Sequence, residues 1–208
     1  MNARAVGNVS TVATCQQSQR VNCRRRVNSR NDRAEPFRQY VCIDHTPIIV
    51  TREAHPVDFD RYFAEAFEGL GPESRHFRFF TAVRELPPSV LARLSDVDGT
   101  RNAAIIAFDA AAELPDHPEG KPIGVARWMS NTEGPPELSV SVIDEYQGMG
   151  VGSRLMDSLL VLARKRGVRR ILADVLRENV AMRTLINRYR AVVQPSGDPL
   201  VVRYRVDI

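Results

Sequence analysis

The sequence predicts a single α/β domain on a mixed, mostly antiparallel central sheet flanked by helices. Three observations carry that expectation. β-rich runs and helical stripes alternate from residue 46 to the C-terminus. The runs 102–110 and 122–130 are joined by a turn-rich connection suited to an antiparallel pair. The chain closes on two further β-rich runs around a PSGD turn, which reads as a hairpin. At 208 residues there is enough chain for one well-cored domain and barely enough for two.

Each element has its own signature. TPIIVTREA (46–54) reads as a first strand. After Pro56, Val57, Tyr62, Phe63, Ala66, Phe67 and Leu70 recur at helical spacing, with Gly69 and Gly71 as the stop. The next stretch holds an aromatic group, Phe77, Phe79 and Phe80, read as core. A short helix follows, opened by Pro87 and Pro88, with Leu91 and Leu94 on one side. ELSVSVIDEY (137–146) alternates, with Leu138, Val140 and Val142 on one face and Ser139, Ser141 and Ile143 on the other. From Gly150, a helix places Val151, Leu155, Leu159, Leu162 and Ala163 on one stripe. Arg164, Lys165 and Arg166 stand at its C-terminal end, where the helix dipole favours cations, and Gly167 ends it. Residues 169–176 form a short apolar strand and 178–189 a second helix.

The net charge of +4 is unevenly spread. Residues 1–40 carry eight arginines against Asp32 and Glu35, which leaves the remainder at −2. The stretch 1–41 has no apolar periodicity and is read as a basic, disordered extension to a domain spanning 46–208. Its Arg-rich, acid-poor start leaves an organellar targeting peptide or an early start codon open as well. No apolar run approaches the ~20 residues of a bilayer span, so a membrane span is excluded and no membrane partner is expected. Cys15, Cys23 and Cys42 are odd in number, without CxxC spacing or a nearby histidine pair. Neither a disulfide framework nor a metal site is therefore expected, and a cytoplasmic setting fits. His45, His55, His76 and His117 are scattered and read as exposed or locally hydrogen-bonded.

DEYQGMGVGSRLM (144–156) packs Gly148, Gly150 and Gly152 into a strand-to-helix junction. Glycines there let the backbone turn tightly and aim consecutive N–H groups at one point, and the helix adds about half a positive charge. That is a phosphate cradle. A dinucleotide fingerprint needs a third glycine where Ser153 stands, and no Walker lysine follows. The spacing of Gln147, Gly150 and Gly152 between a half-polar strand and a helix, with Asn179 later, resembles the Gcn5-related N-acetyltransferase (GNAT) family over residues 46–208. The segment SRHFRFFTAVRELPPSVLARLSDVDG is similar, more narrowly, to bacterial protein-lysine acetyltransferases, including those fused to cyclic-nucleotide-binding or acyl-CoA synthetase domains.

The resemblance implies the GNAT fold, with its sheet splayed between strands 137–146 and 169–176, and acetyl-CoA as the acyl donor. Backbone N–H groups of Gly148, Met149, Gly150, Val151, Gly152 and Ser153, beside Gln147, would hold the pyrophosphate. The backbone of Ser141 and Val142 would pair with the pantetheine arm, and Asn179 would either contact that arm or simply cap its helix. The implied activity is N-acetyl transfer by direct attack in a ternary complex onto a primary amine, on a monomer or homodimer without metal. Protein lysine is the favoured acceptor; a small-molecule amine such as a polyamine or aminoglycoside is the alternative.

An amine of pKa about 10.4 is protonated at neutral pH, and freeing its lone pair costs about 4.6 kcal/mol, so a base is needed. Glu137 opens the strand on the face of Ser139 and Ser141, and matches by position the glutamate that serves as base in the protein-acetylating members. Asp144 and Glu145 flank the phosphate loop and are not assigned. Where many members carry an acidic tyrosine, seven residues after the helix asparagine, this chain has Ile186. Tyr189 is read as buried against the sheet, so the thiolate is expected to leave without a side-chain acid. A rival from another class is a non-catalytic acyl-CoA sensor or nucleic-acid-associated module using the cradle and the arginine tail, with nucleic acid the less favoured partner.

Overall fold

The computed structural model describes residues 46–112, 114, 117–130 and 134–208. The basic extension, the three cysteines and His45 lie outside them. Seven strands form one sheet: β1 (Ile49–Glu53), β2 (Asn102–Asp109), β3 (Lys121–Met129), β4 (Glu137–Val142), β5 (Arg170–Leu176), β6 (Val192–Gln194) and β7 (Val201–Asp207). Their spatial order is β1-β2-β3-β4-β5-β7-β6. Neighbours run antiparallel except β4 and β5, so the mixed, mostly antiparallel sheet expected from the sequence is what the chain forms.

Strand alternation divides the packing in two. One face carries Ala103, Ile105 and Ala107 of β2, Ala126 and Trp128 of β3 and Leu138 of β4 under helix α5 (Val151–Lys165). The α5 stripe fits it closely: Leu155, Leu159 and Ala163 are each fully buried. The opposite face carries Ala104, Ile106 and Phe108 under Phe59, Tyr62, Leu94 and Val97. There the chain forms α1 (Pro56–Asp58), a π-helical turn (Phe59–Phe63), α2 (Ala64–Glu68), α3 (Pro72–Phe79) and α4 (Pro88–Ser95). The last helix, α6 (Val180–Asn187), follows β5.

Three expectations change. The single helix after Pro56 is broken by the π turn, which turns Phe59 and Tyr62 into the second core. The aromatic group at 77–80 belongs to a helix, α3, begun by Pro72 and ended by Phe80 in a left-handed conformation at φ 61°. Its aromatics are not core: Phe79 packs edge-on against Phe67 with ring centres 6.0 Å apart, and Phe80 is exposed. The strand 137–146 stops at Val142, because the chain must coil into the short turn Asp144–Tyr146. Two bonds fix that turn: Asp144 N–H donates to Gly69 O at 3.0 Å, and the buried Tyr146 hydroxyl donates to Asp109 at 3.0 Å.

Candidate active site

β4 and β5 meet at one place only. Glu137 pairs with Leu172, Leu172 N–H donates to Pro136 O at 2.9 Å, and beyond that point the strands diverge. On its other side β4 is paired with β3 along its whole length. Ile143 N–H donates to Ile123 O at 3.1 Å, so odd-numbered backbone groups of β4 are turned toward β3 and even-numbered ones toward the gap. Ser141 O confirms the direction, since a Cβ added at Gly124 would lie 2.8 Å from it. The backbone expected to face the gap at Ser141 and Val142 therefore does so at Val140 and Val142, while Ser141 offers the cleft its side chain.

The gap widens into a cleft of about 370 Å³. One end is the turn from β4 into α5. Gly148 and Gly150 hold φ of 79° and 89°, left-handed values suited to glycine, and a Cβ on either would meet nothing within 4 Å. The hydrogen-bond ladder of α5 starts with Arg154 N–H to Gly150 O at 3.1 Å, so the N–H groups of Val151, Gly152 and Ser153 precede it. No side chain caps this helix. Of the residues predicted here, Gly148, Gly150, Gly152 and Ser153 line the cleft. Met149 points to solvent and Val151 into the core, so each has only its backbone to offer.

Gln147 has a different occupation. Its amide nitrogen lies 3.0 Å from Val142 O, 3.0 Å from Ser74 Oγ and 3.2 Å from Asp144 Oδ1, and so it ties the end of β4 to the turn and to α3. Asp144 and Glu145 are both engaged in structure, with Ser74 and Lys121 respectively. Asn179 lines the cleft and also caps α6, its Oδ1 accepting from Met182 N–H at 2.9 Å. Arg188 was not foreseen: its Nη1 donates to Ser153 Oγ at 3.1 Å, which sets a cation beside the glycine turn. An open glycine turn, free N–H groups at a helix start and an adjacent guanidinium together suit a polyphosphate.

At the other end Glu137 lines the cleft with Ser139, Ser141, Phe77, Arg78 and Phe80. Glu137 is exposed. Asp174, across the fork on β5, is held by Arg203 through two bonds of 2.7 and 2.6 Å. Ile186 is fully buried in the core and has no approach to the cleft. Tyr189 is half-buried and packs, in keeping with its expected place, against the core cluster that the sheet and α5 share. Its hydroxyl reaches α5, 2.9 Å from Asp157 and 3.1 Å from Ser153 O, and burial together with Asp157 raises its pKa well above the ordinary tyrosine range. Elsewhere, of the two readings for the histidines, His117 takes the hydrogen-bonded one: it is buried, with Nε2 3.0 Å from the Glu65 carboxylate.

A sheet forked between two parallel strands, with a helix start at the fork, has the shape to suit an extended, phosphate-tailed molecule. The comparisons with known proteins identify the class. The Acetyltransferase (GNAT) family profile matches residues 61–190, and the chain belongs to that family. It is 33% identical over 117 residues to acetyltransferase PA5475 of Pseudomonas aeruginosa, a match covering 56% of this chain and 60% of that protein. It is 34% identical over 118 residues to acetyltransferase Pat of Mycolicibacterium smegmatis, covering 56% of this chain and 33% of that one. The match thus spans less than two thirds of either relative. Among solved structures, the GNAT domain of S. lividans PAT superposes with a TM-score of 0.65 at 25% identity, covering 76% of this chain and 89% of that one. Among the described residues no helix is long and apolar enough to cross a membrane.

Proposed function

We propose that this chain transfers an acetyl group from acetyl-CoA to a primary amine, with protein lysine as the acceptor class. The observation that supports this most is the fork itself. Val140 and Val142 face the gap with their backbones, the glycine turn and α5 lie at one end, and Glu137 stands at the other. Acetyl-CoA has a matching layout, with a diphosphate, an amide-bearing arm and a thioester in sequence. In this reading the N–H groups of residues 148–153, with Arg188, hold the diphosphate, and the gap-facing groups of β4 pair with the arm. The bound donor supplies an activated acyl carbon. Glu137 takes the proton from the incoming ammonium, directly or through one water, and the nitrogen forms its bond to that carbon as the C–S bond breaks. Ile186 is buried and Tyr189 is committed to Asp157, so the leaving thiolate takes its proton from solvent, to which the attacking nitrogen gives up its second one. Protein lysine is preferred because the segment SRHFRFFTAVRELPPSVLARLSDVDG resembles that of bacterial protein-lysine acetyltransferases and because proteins named Pat and PAT are among the relatives.

Donor binding and thiol release test the reading together. Wild type should bind acetyl-CoA and release thiol when lysine-containing proteins are supplied. Glu137→Gln should keep the binding and lose about 10²–10⁴-fold in kcat, the range of general base catalysis. Binding without release for any amine would instead favour a sensor of acyl-CoA.

A further inference from the structure

The acceptor end of the cleft is more cationic than a site built for a bare ammonium. Arg78, from α3, lines it beside Glu137 and Ser139. Its guanidinium makes no hydrogen bond or ion pair among the described residues, and its recorded partner is the Phe79 ring at 5.2 Å. Beneath it, on the same face, Arg127 of β3 stands directly across from Ser139. Arg127 is only 1% exposed. Its Nη1 donates to Leu94 O at 2.9 Å, while its Nε and Nη2 have no hydrogen-bond partner among the described residues. Arg93 on α4 adds a third positive charge close enough to act on both. Against them stand Glu137 and Asp96, since the Asp174 carboxylate is taken by Arg203. A lysine ammonium arriving alone meets net repulsion there; one accompanied by an anion does not.

We propose that the acceptor presents a carboxylate next to its reacting amine, and that Arg78 binds that carboxylate. The proposal rests on the acetyltransferase reading and narrows its substrate class. The carboxylate belongs either to an acidic residue flanking the lysine of a protein or to a small amino acid, and both sources offer the planar pair of oxygens that a guanidinium fork engages. Arg127, sealed below, is a positioning residue: its charge keeps the floor positive without touching the acceptor.

The test uses the full chain and two matched acceptor pairs. One is a lysine peptide with Glu or Gln beside the lysine; the other is Nα-acetyl-lysine as free acid or as amide. The acidic member should be favoured by about 10- to 100-fold in kcat/KM, the worth of one charge-assisted contact. Which pair shows the larger ratio separates the protein source from the small-molecule source. The ratio should fall to near one in Arg78→Gln and return in part in Arg78→Lys. If Arg78 served only the fold or Glu137, both members would slow alike and the ratio would stand. A ratio near one in wild type, or one that Arg78→Gln leaves unchanged, overturns the proposal. Calorimetry of the Nε-acetylated products of both pairs, acidic member against neutral, on the protein saturated with CoA gives a second reading that needs no turnover; equal affinity within both pairs, or no binding by any member, also overturns it. Equal transfer to both members refutes the carboxylate site and leaves the acetyltransferase reading standing. Tighter binding of the acid without transfer to any amine does the reverse.

Discussion

Replacing Arg127 by methionine tests whether a buried guanidinium holds this fold together or strains it. Burial, with the charges of Arg78 and Arg93 behind it, pulls the Arg127 pKa down to about 10. A fall of that size from the ordinary arginine value corresponds to about 3 kcal/mol against the folded state. The sign follows from the direction. A depressed pKa on a base means that the unfolded chain holds the proton more tightly, so the penalty is fully present below pH 10 and lifts only above it. Two contacts offset part of it: the bond to Leu94 O, and the Phe59 ring 5.6 Å away. Together these are worth about 2–3 kcal/mol, and methionine keeps most of the apolar stem. Arg127→Met should therefore be neutral or more stable by up to about 1 kcal/mol at neutral pH, a rise of at most about 4 °C in Tm for a chain of this size. Urea unfolding gives the value, and an unchanged m-value shows that the unfolded ensemble is not what moved. A loss of more than about 1 kcal/mol would refute the reasoning and show that the guanidinium is a net structural contact.

Three further outcomes follow from the geometry. Gly150→Ala forces a side chain into φ 89° and should cost about 1–2 kcal/mol of stability. Its methyl also enters the open space before α5, so calorimetry should show acetyl-CoA affinity reduced at least about tenfold; unchanged affinity would remove the glycine turn from the donor site. Burial pushes the Asp58 carboxyl up, but bonds from Arg52 and from the His55 backbone outweigh it and hold the pKa below the ordinary value. The stability this gives is present above about pH 4 and is lost as pH falls further. Thermal midpoints followed into acid should show a shallower decline in Asp58→Asn, and a parallel decline would exclude this pair as a source of acid sensitivity. Tyr189→Phe should lose about 1 kcal/mol of stability and leave the alkaline limb of kcat in place. A displaced limb would restore Tyr189 as the proton donor.

Elements defined by local periodicity were readable in the sequence. The α5 stripe from Val151 to Ala163 and the alternation of Leu138, Val140 and Val142 concern neighbours three or four apart on a helix and two apart on a strand, so their spacing alone fixes their faces. Reading failed where a residue's surroundings come from distant chain. Phe77 and Phe80 look like core material, yet no element covers them, and they line the cleft instead. Gln147 lines the cleft its motif pointed to, but the bond of its amide to Ser74, 73 residues away, could not be read from its own stretch. The partner of the Tyr189 hydroxyl could not be read from its own stretch, because Asp157 lies on another helix. The company of Arg78 and Arg127 is invisible in the chain for the same reason: only the pairing of Arg127 with Ser139 brings the second beneath the cleft.

The fork between β4 and β5 has a consequence for the free protein. With one pairing between the two strands, the N–H and C=O of Val140 and the N–H of Val142 have no strand partner among the described residues. Most sheets confine such groups to their margins, where they invite any extended segment to add on. This chain keeps that adhesive border in its middle. Any peptide-like molecule slim enough to enter completes a sheet that is otherwise unfinished, and amide exchange at Val140 should slow when acetyl-CoA does so. The cleft thus selects by slenderness first, admitting a single extended thread, and only afterwards by the charges at its two ends.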